Sequence, residues 1–520
     1  MSPAAASDTS GATSPDVLLS RRREFVAVVG ILLALLMGAL DQFVVLTALP
    51  NILAQFGQVN SGSTVVSAYI IASTVAIPLF GKLSDLWSRR NVFLAALLVF
   101  IVGSLLAGVS QNLTELIAFR AVQGFGSGGF FPVGIAIVAV SFPPAMRARI
   151  TGFLLGVFGI ATVAGPLIGS TILTYTTWRW VFYVNLPIGI VGGIVLLLSL
   201  GPLNPAVKRR FDTVGAGLLV GWVGSLEYAL VQIADSGWAW TDPRVVALLG
   251  AALVLAAIFC FWELRRAPEP LVPLRLLSNR IVAVSGSTTF LVGTVFFPLA
   301  TFLSLVVGIA LTPAGVSAAD AVRNVLYALV LPLVVGAALG GQLLVRISYR
   351  LQVSIGVAIA IAGMLVLRET TASTPAWTLA YGFLPVGGII LPLIPLGFGI
   401  GLTFPVFLLA VQNEVEPKDV GEASGLVQFL QSLGGSIGLS VLASYVASQL
   451  SGRIPTPTLL VSAYDRAFTV MAVVLAIAFA VGLLYRGRFI RAPATTASET
   501  KETVTAGGPT LVDGSSRSSP

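Results

Sequence analysis

Long apolar runs separated by short polar stretches occupy most of the chain. Each run is about 20 residues long, which is the length that an α-helix needs to cross a hydrocarbon layer of roughly 30 Å. Apolar and polar positions do not alternate within the runs, as they would in the strands of a membrane β-barrel. The pattern therefore predicts an all-α polytopic membrane protein.

Fourteen such runs can be counted, which we number as spans 1 to 14 in chain order. An even number of spans places both ends of the chain on the same side of the membrane. The predicted spans cover residues 25–49, 63–81, 92–110, 114–140, 150–174, 180–200, 213–235, 244–262, 282–307, 321–345, 351–367, 382–410, 420–446 and 465–486.

The basic residues support this count independently. Of the 30 Lys and Arg residues, 23 lie on the side of the N-terminus and six on the opposite side, with Arg120 inside a span. Cytoplasmic connections retain Lys and Arg in membrane proteins. Both termini are therefore expected in the cytoplasm, and the plasma (inner) membrane is the expected location.

A faint internal repeat divides the chain further. The segments GKLSDLWSRR at 81–90 and GQLLVRISYR at 341–350 share Gly, Leu, Ser and Arg at matching positions, and both follow a span that runs inward. Parallel repeats of this kind are a transporter architecture. They predict a six-helix half at 25–200, an inserted helix pair at 213–262 and a second six-helix half at 282–486. A cytoplasmic tail at 1–24 and a disordered cytoplasmic tail at 492–520 complete the expected organisation.

Composition narrows the chemistry. Histidine is absent and Cys260 is the single cysteine, which excludes a disulfide within the chain and a His/Cys zinc site. Protonation must then fall to carboxylates, and no cofactor is expected. The +8 net charge is spread between apolar runs rather than clustered, so a nucleic acid partner is not expected either. The chain also lacks an ATP-binding Gly-rich loop followed by Lys and Ser or Thr, so neither ATP-driven pumping nor another enzymatic activity is predicted.

Two charges stand out inside apolar spans. Asp41 lies about 13 Å below the outer end of span 1 if Pro50 marks that end, and Arg120 lies roughly 9 Å into span 4 from the same side. Charges within a membrane normally face the bundle interior and find a partner. We therefore expect a direct or water-bridged coupling of Asp41 with Arg120. The alternative is a permanent ion pair that only fixes helix packing.

Glu227 is a third charge, about 12 Å from the outer end of span 7. It could be a second acidic site for a proton or a cationic substrate. The simpler interpretation is a peripheral hydrogen bond, to Tyr228 or Gln232, because the inserted pair is expected outside the core.

Two further features concern the shape of the bundle. The connection at 81–90 combines Gly81 and Asp85 with Arg89 and Arg90, and its glycine would let a helix end tightly against its neighbour. Span 5 carries a stripe of small residues, which favours close helix packing and could also form a tight seal between the halves. The stripe includes Gly156, Gly165 and Gly169, with Pro166 beside them.

The same segments resemble one family. GKLSDLWSRR resembles the signature loop of the major facilitator superfamily, with Ser88 in place of its second glycine. LDQFVVLTALP is similar to the first-span motif of drug:proton antiporters, although Phe43 and Leu46 replace two polar residues. Further similarity, together with the span count, points to the fourteen-spanner branch: FRAVQGFGSGG at 119–129, GVFGIATVAGPLIGS at 156–170, WRWVFYVNLPIG at 178–189 and NEVEPKDVGEASGLVQFLQSLGGSIG at 413–438.

This resemblance implies a secondary transporter that exports small amphipathic or cationic compounds in exchange for protons by alternating access. Asp41, Arg120 and Glu227 would couple protons, while Gly81, Asp85, Arg89 and Arg90 would gate the cytoplasmic side. Gly165 and Pro166, with Gly156 and Gly169, would shape the seam between halves. Substrate would bind near the midplane, with Phe43, Gln123, Gln428 and Gln431 among its contacts.

Two other functions stay open. One is the export or import of a single metabolite by the same fold, and the other is a receptor or scaffold that transports nothing. The presence of Asp41 and Arg120 argues against the last. The expected partners are a small amphipathic substrate, protons and the lipid bilayer, and the chain is expected to function as a monomer.

Overall fold

The fold is taken from a computed structural model of the chain. It describes residues 21–57, 62–142, 144–201, 203, 211–312, 316–344, 346–373, 388–416, 419–450 and 457–485. The two predicted tails, apart from residues 21–24, lie outside these residues, so their boundaries stay predictions.

Fourteen helical spans, each long and apolar enough to cross a membrane, make up the described part of the chain. A helix satisfies its own backbone hydrogen bonds, which a chain surrounded by lipid must do. The predicted count and the all-α class are confirmed. The helices of spans 1 to 14 are, in order, Arg21–Phe56, Gly62–Leu86, Arg89–Val109, Leu113–Ser127 with Phe130–Ser141, Pro144–Tyr175, Trp180–Tyr183 with Asn185–Ser199, Thr213–Ser236, Pro243–Arg265, Arg280–Ile309, Ala318–Leu343, Tyr349–Ser373, Ile390–Glu414, Val420–Leu450 and Pro457–Gly482.

Polar side chains mark where several of these helices begin. Asp212 accepts a hydrogen bond from the Gly215 amide at 2.8 Å, and Asn279 accepts one from the Ile281 amide at 2.9 Å. Such caps satisfy amide groups that the first helical turn leaves free. Asp242 caps span 8, and hydrogen bonds from the side chain and amide of Arg244 hold the pKa of its carboxyl below the ordinary range.

The helix ends differ from the predicted spans because helices continue beyond the hydrocarbon layer. Span 1 contains Pro50 and ends at Phe56, so Asp41 lies roughly 22 Å from the end of its helix rather than 13 Å. Span 14 begins at Pro457 instead of 465. The helix of span 12 begins at Ile390. Residues 382–387, with which the predicted span begins, lie outside the described residues.

Helix packing repeats between the two halves. Span 1 packs on spans 5 and 6, span 2 packs on span 4, and span 3 packs on span 4. Eight positions later, span 9 packs on spans 13 and 14, span 10 on span 12, and span 11 on span 12. Two parallel repeats would produce such a matching arrangement, and the bounds of the halves and of the inserted pair stay predictions.

Several helix pairs join the halves in the described part of the chain. The hydroxyl groups of Thr74 in span 2 and Ser432 in span 13 lie 2.6 Å apart, and Arg323 of span 10 donates to Ser170 of span 5 at 3.2 Å. Pro50 of span 1 packs directly on Gly308 of span 9. The halves therefore meet through polar and apolar contacts, between which a central cavity can form.

The inserted pair is not wholly peripheral. Span 8 packs mainly on span 7 and is the least buried of the fourteen. Span 7, in contrast, contacts span 2 of the first half and span 13 of the second. The expectation that both inserted helices lie outside the core is therefore wrong for span 7.

Candidate functional site

Asp41 and Arg120 form an ion pair inside the first half. Nη1 of Arg120 donates to Oδ2 of Asp41, and the two side chains are 0% and 1% exposed. A buried charge without a partner would cost several kcal/mol, which the opposite charge offsets. The structure thus brings together the two residues that the sequence analysis paired.

Three neutral side chains complete the surroundings of the carboxylate. Gln123 donates to Oδ1 of Asp41 at 2.8 Å, and Asn185 of span 6 donates to the same oxygen at 2.9 Å. Both amides also donate to Ser104 of span 3 at 3.0 Å, and Ser104 donates onward to the carbonyl of Phe182. Asp41 is therefore held by side chains of spans 4 and 6, which Ser104 of span 3 supports, in a site that is closed to solvent but rich in donors.

The guanidinium of Arg120 is held from both sides. Oε1 of Gln123 accepts from Nη1 at 2.7 Å, and Cζ lies 4.2 Å from the ring centre of Tyr69. A cation over an aromatic face is stabilised most when it is desolvated, as here. The hydroxyl of Tyr69 donates to the Gly38 carbonyl in span 1 at 3.1 Å, which fixes the ring.

Close helix approach makes this cluster possible. A Cβ atom on Gly103 of span 3 would lie 2.5 Å from the amide nitrogen of Gln123, and one on Gly124 would overlap the Tyr69 carbonyl. Only glycine lets spans 2, 3 and 4 approach this closely. The short side chain of Gln123 can then reach both members of the ion pair.

A narrow cavity of ≈ 20 Å³, about the space that one water molecule needs, lies beside the ion pair, between the two halves. The first half contributes polar groups from Gln42, Tyr69 and Arg120, together with apolar side chains. Span 9 contributes Phe296, Phe297, Ala300 and Thr301. The cavity is thus lined largely by apolar and aromatic side chains, and its charge is supplied from one side.

The four residues predicted to contact substrate do not all line the cavity. Phe43 lines the cavity, whereas Gln123 is fully buried in the hydrogen-bond network around Asp41. Gln428 and Gln431 lie half-buried on span 13. Contact of these four residues with substrate stays a prediction.

Gly165 and Gly169 of span 5 pack within the first half. A Cβ atom on Gly165 would lie 2.5 Å from Cβ of Phe43, and one on Gly169 would lie 2.9 Å from Cβ of Thr47. Both contacts are with span 1, so these glycines do not form the expected seam between halves. Pro166 lies inside the span 5 helix, and a Cβ atom on Gly156 would meet no atom within 4 Å.

The predicted cytoplasmic loop is shorter than expected. Span 2 continues to Leu86, so Gly81 and Asp85 lie inside a helix and Gly81 does not end it. Asp85 pairs with Arg89 at 3.6 Å, across the turn between spans 2 and 3. Arg90 donates to the Leu200 carbonyl at the end of span 6 at 2.8 Å. The four residues are therefore close in space, and their gating role stays a prediction.

Lys82 connects this turn to the inserted pair. Its ammonium lies 2.7 Å from Oε2 of Glu269, in the segment that leads from span 8 to span 9. Lys82 is 8% exposed, so the ion pair is only partly screened by water. The inserted pair is thereby attached to the first half at this side of the bundle.

Glu227 has a different partner from the one expected. The Ser436 hydroxyl of span 13 donates to its Oε1, while Tyr228 is exposed and Gln232 accepts from Ser236. The peripheral hydrogen bond that the sequence suggested is therefore wrong in its partner. The Glu227 side chain is buried, at 3% exposure.

Comparison with known proteins identifies the family. Residues 31–439 match the family model described as the Major Facilitator Superfamily. The chain belongs to this superfamily. It is accordingly a multi-pass membrane transporter and not an enzyme.

Bacterial members resemble this facilitator along most of its length. Multidrug resistance protein 3 of Bacillus subtilis (strain 168) is 31% identical over 428 residues, which cover 82% of this chain and 80% of that protein. Multidrug transporter protein MdtP of the same organism is 30% identical over 433 residues, covering 83% and 77% of the two chains.

Solved structures share the fold of this facilitator. A bacterial homolog of the human lysosomal transporter Spinster, in an inward-facing and unoccupied conformation, matches with a TM-score of 0.61 at 16% identity, over 89% of this chain and 97% of that one. The human organic anion transporter MFSD10 matches with a TM-score of 0.54 at 17% identity, over 87% and 99% of the two chains. At these identities the similarity shows the fold alone.

Sequence analysis missed part of this facilitator's polar cluster. Ser104, Asn185 and Tyr69 join Asp41 and Arg120, although none was singled out beforehand. Asn185 did carry a signal, since it is an amide within the apolar run of span 6. Whether the Asn185 side chain faces Asp41 depends on how span 6 is rotated about its own axis, which a single sequence does not reveal.

Proposed function

We propose that the protein exports small amphipathic or cationic compounds from the cytoplasm in exchange for protons, by alternating access across the plasma membrane. The observation that carries this proposal is the buried Asp41–Arg120 pair at the wall of an aromatic cavity between the halves. The names of the two bacterial relatives, both multidrug proteins, support a broad range of substrates. Both termini are taken to be cytoplasmic and the functional unit to be the monomer.

The ion pair provides a simple way to couple protons. A proton on Oδ2 of Asp41 removes the negative charge that Arg120 binds, while Gln123 and Asn185 still hold Oδ1. Arg120, which also lines the cavity, is then free to reorient. Loading and release of one proton would thus change both the charge and the shape of the substrate site.

A single proton is energetically sufficient for useful export. Moving one elementary charge through 100 mV is worth about 2.3 kcal/mol, which corresponds to roughly a forty-fold concentration gradient of a neutral compound. Exchange of one proton for a monovalent cation moves no net charge and is driven by the pH difference instead, at about 1.4 kcal/mol per pH unit. The apolar lining from span 9 would supply most of the binding contacts. Such contacts depend on buried area rather than direction, which suits compounds of varied shape.

The coupling can be tested in proteoliposomes that contain the purified chain. Ethidium serves as the probe, and a pH gradient is imposed across the vesicle membrane. We expect gradient-driven movement of ethidium that the Asp41→Asn variant loses. Ethidium movement that is the same with and without the gradient would contradict antiport.

Export of one dedicated metabolite is the second candidate, because the same fold and ion pair would serve it. Import of such a metabolite is the reverse of the same cycle. Growth of a transporter-deficient bacterial host separates these functions. Resistance to several unrelated lipophilic cations supports multidrug export, and resistance to none of them, with transport of a single compound, supports the dedicated function. Absence of any transport would favour a receptor or scaffold.

A further inference from the structure

Glu227 lies in the middle of span 7, where the inserted pair meets both halves. It is nine residues from the last residue of the helix, Ser236, and only 3% exposed. Its Oε1 accepts a hydrogen bond from Ser436. Its Oε2 is buried and has no hydrogen-bond partner in the described residues.

Span 13 presents a row of serines to this region. Ser432, Ser436, Ser440 and Ser444 are spaced four residues apart, so they lie on one face of the helix. Ser436 donates to Glu227, Ser440 faces the same carboxyl, and Ser444 donates to the Leu230 carbonyl of span 7 at 2.8 Å. Oγ of Ser440 is buried and lacks a hydrogen-bond partner among the described residues, like Oε2 of Glu227.

No opposite charge compensates a carboxylate at Glu227. In the described part of the chain no ion pair reaches it, and the groups that act on it are Ser436 and Ser440. The ionisable side chains of span 7 and of the helices packed on it are engaged elsewhere, exposed, or placed towards the helix ends. They are Tyr228 and Asp235 of span 7, Tyr69, Lys82 and Asp85 of span 2, Glu422 and Tyr445 of span 13, and Arg244, Cys260, Glu263 and Arg265 of span 8.

A neutral carboxylic acid suits these uncharged surroundings better than a carboxylate does. Burying an unpaired charge costs several kcal/mol, and a carboxyl group avoids this cost by binding a proton. The acid form accepts from Ser436 through Oε1 and offers an O–H on Oε2 to Ser440. A small rotation of either side chain would then give both unpartnered atoms a hydrogen bond.

Glu227 lies close to a contact between the two halves, so its protonation can affect that contact. Ser432, one helical turn from Ser436 on span 13, carries the hydroxyl contact to Thr74 that joins the two halves. Span 7 itself packs on both span 2 and span 13. A change in how span 7 is bound therefore acts directly on the contact between the halves.

We propose that Glu227 is a proton-binding site, separate from Asp41, that holds span 7 against span 13 while its carboxyl is neutral and loosens that contact when the proton leaves. The proton is exchanged with water that reaches the seam as spans 2 and 13 separate. The inserted pair thus senses protonation at the junction of the halves, which goes beyond coupling at the Asp41–Arg120 pair.

Infrared difference spectroscopy of the purified full chain in lipid vesicles tests this proposal without any substrate. The carbonyl stretch of protonated carboxylic acids is followed through a pH titration, in sodium-free buffer and in buffer with sodium. We expect a pH-dependent acid band that Glu227→Gln removes and Asp41→Asn retains. Glutamine has nearly the same shape and can bond both serines, so the variant should fold.

The neighbouring serines supply matched variants. Ser440→Ala removes the expected partner of Oε2 and should move the midpoint of the band by about one pH unit, the size of one lost hydrogen bond. Ser444→Ala belongs to the same row but contacts only a backbone carbonyl of span 7, so it should leave the midpoint in place. Should Glu227→Gln fail to fold, the shift in Ser440→Ala and its absence in Ser444→Ala carry the test.

Three results would overturn the proposal. One is a set of acid bands that is the same in Glu227→Gln as in the unchanged protein, and another is a Glu227 band that does not change with pH, which would make the group a fixed hydrogen bond. The third is a midpoint that moves with sodium concentration, which would indicate a metal cation site. Because the measurement needs no transport, its failure is distinct from a failure of the proposed export.

Discussion

Asp41 combines two properties that usually exclude each other, full burial and many hydrogen-bond donors. Phe43 and Leu46 remove the polar neighbours that its own helix offers in similar transporters. Gln123 and Asn185, from spans 4 and 6, replace them. Exchange of the proton therefore depends on the relative positions of three helices, so movement of any of them can alter the charge at Asp41.

The ion pair predicts a strong non-additivity. Arg120→Gln leaves a buried carboxylate without its cation, and we expect it to lower the free energy of unfolding by about 3–5 kcal/mol. Asp41→Asn should cost a similar amount because the guanidinium is then unpaired. The double variant should lose much less than the sum of both. Thermal unfolding of the four proteins in detergent, together with ethidium transport, provides the cycle.

If the losses of the two single variants simply added up in the double variant, direct coupling of Asp41 with Arg120 would be contradicted.

For single residues, the sequence was sufficient to pair Asp41 with Arg120, because charges are rare in apolar helices and each needs a partner. It was not sufficient for Ser104 and Asn185. Uncharged polar residues occur on many helix faces, and their partners follow only from helix rotation.

Spans 1 and 5 show how one atom can set the distance between two helices. Cβ of Phe43 is fixed to the backbone, so an added methyl group 2.5 Å away can be accommodated only if the helices separate. We therefore expect Gly165→Ala to lower the free energy of unfolding by about 1–3 kcal/mol and to slow transport. Gly156→Ala is the matched control on the same helix, since its methyl group meets no atom within 4 Å.

The two alanine variants can be compared by thermal unfolding and by ethidium transport. Gly156→Ala should be neutral or slightly stabilising, because alanine favours a helix more than glycine does. A similar loss in both variants would mean that helix propensity or lipid contact, and not packing on Phe43, limits span 5.

The turn between spans 2 and 3 leads to a less obvious expectation. Ser88 replaces the second glycine of the family pattern, but its φ of −55° is available to any residue. Its hydroxyl accepts a hydrogen bond from the Leu203 amide at 3.1 Å. Restoring glycine by Ser88→Gly should therefore destabilise the protein by about 1 kcal/mol.

Ser88→Ala should have nearly the same effect on the unfolding midpoint, since both variants lose the hydroxyl. A stabilised Ser88→Gly protein would show that the turn is strained after all.

The existence of each span could be predicted from the length of its apolar run, because a backbone surrounded by lipid can form hydrogen bonds only with itself. The position of this turn could not, since helix ends beyond the hydrocarbon layer depend on local hydrogen bonds such as this one.

The helices of the whole molecule pack in two similar sets, and span 7 of the predicted inserted pair contacts both of them. The repeat could be read because two segments kept similar residues at equivalent places. The position of span 7 could not, because serines spaced four apart are common in packed helices. Only the folded chain places Ser436 against Glu227 and Lys82 beside Glu269.

The ion pair of Lys82 with Glu269 can be tested by exchanging the two charges. Lys82→Glu would place a third carboxylate near Glu263 and Glu269, so we expect a several-fold loss of ethidium transport. Glu269→Lys should also reduce transport, by repulsion from Lys82. The double exchange should recover most of the activity, because it restores the ion pair in reverse.

A double variant no better than the worse single one would argue that Lys82 acts through another contact. Arg275→Glu is a suitable control. It disrupts an exposed pair with Glu422 at 3.1 Å, and exposed pairs contribute little. Its transport should be close to that of the unchanged protein.

Because the predicted insertion contains two helices rather than one, the orientation of the second half in the membrane is unchanged. Each added crossing reverses the direction of everything that follows, so a single inserted helix would have turned the second half upside down. A pair leaves the second half parallel to the first, with spans 9 and 13 packed as spans 1 and 5 are. A hairpin of this kind can be gained or lost as one unit without reversing the helices that follow it, and the contact of Glu227 with Ser436 binds this one to the rest of the bundle.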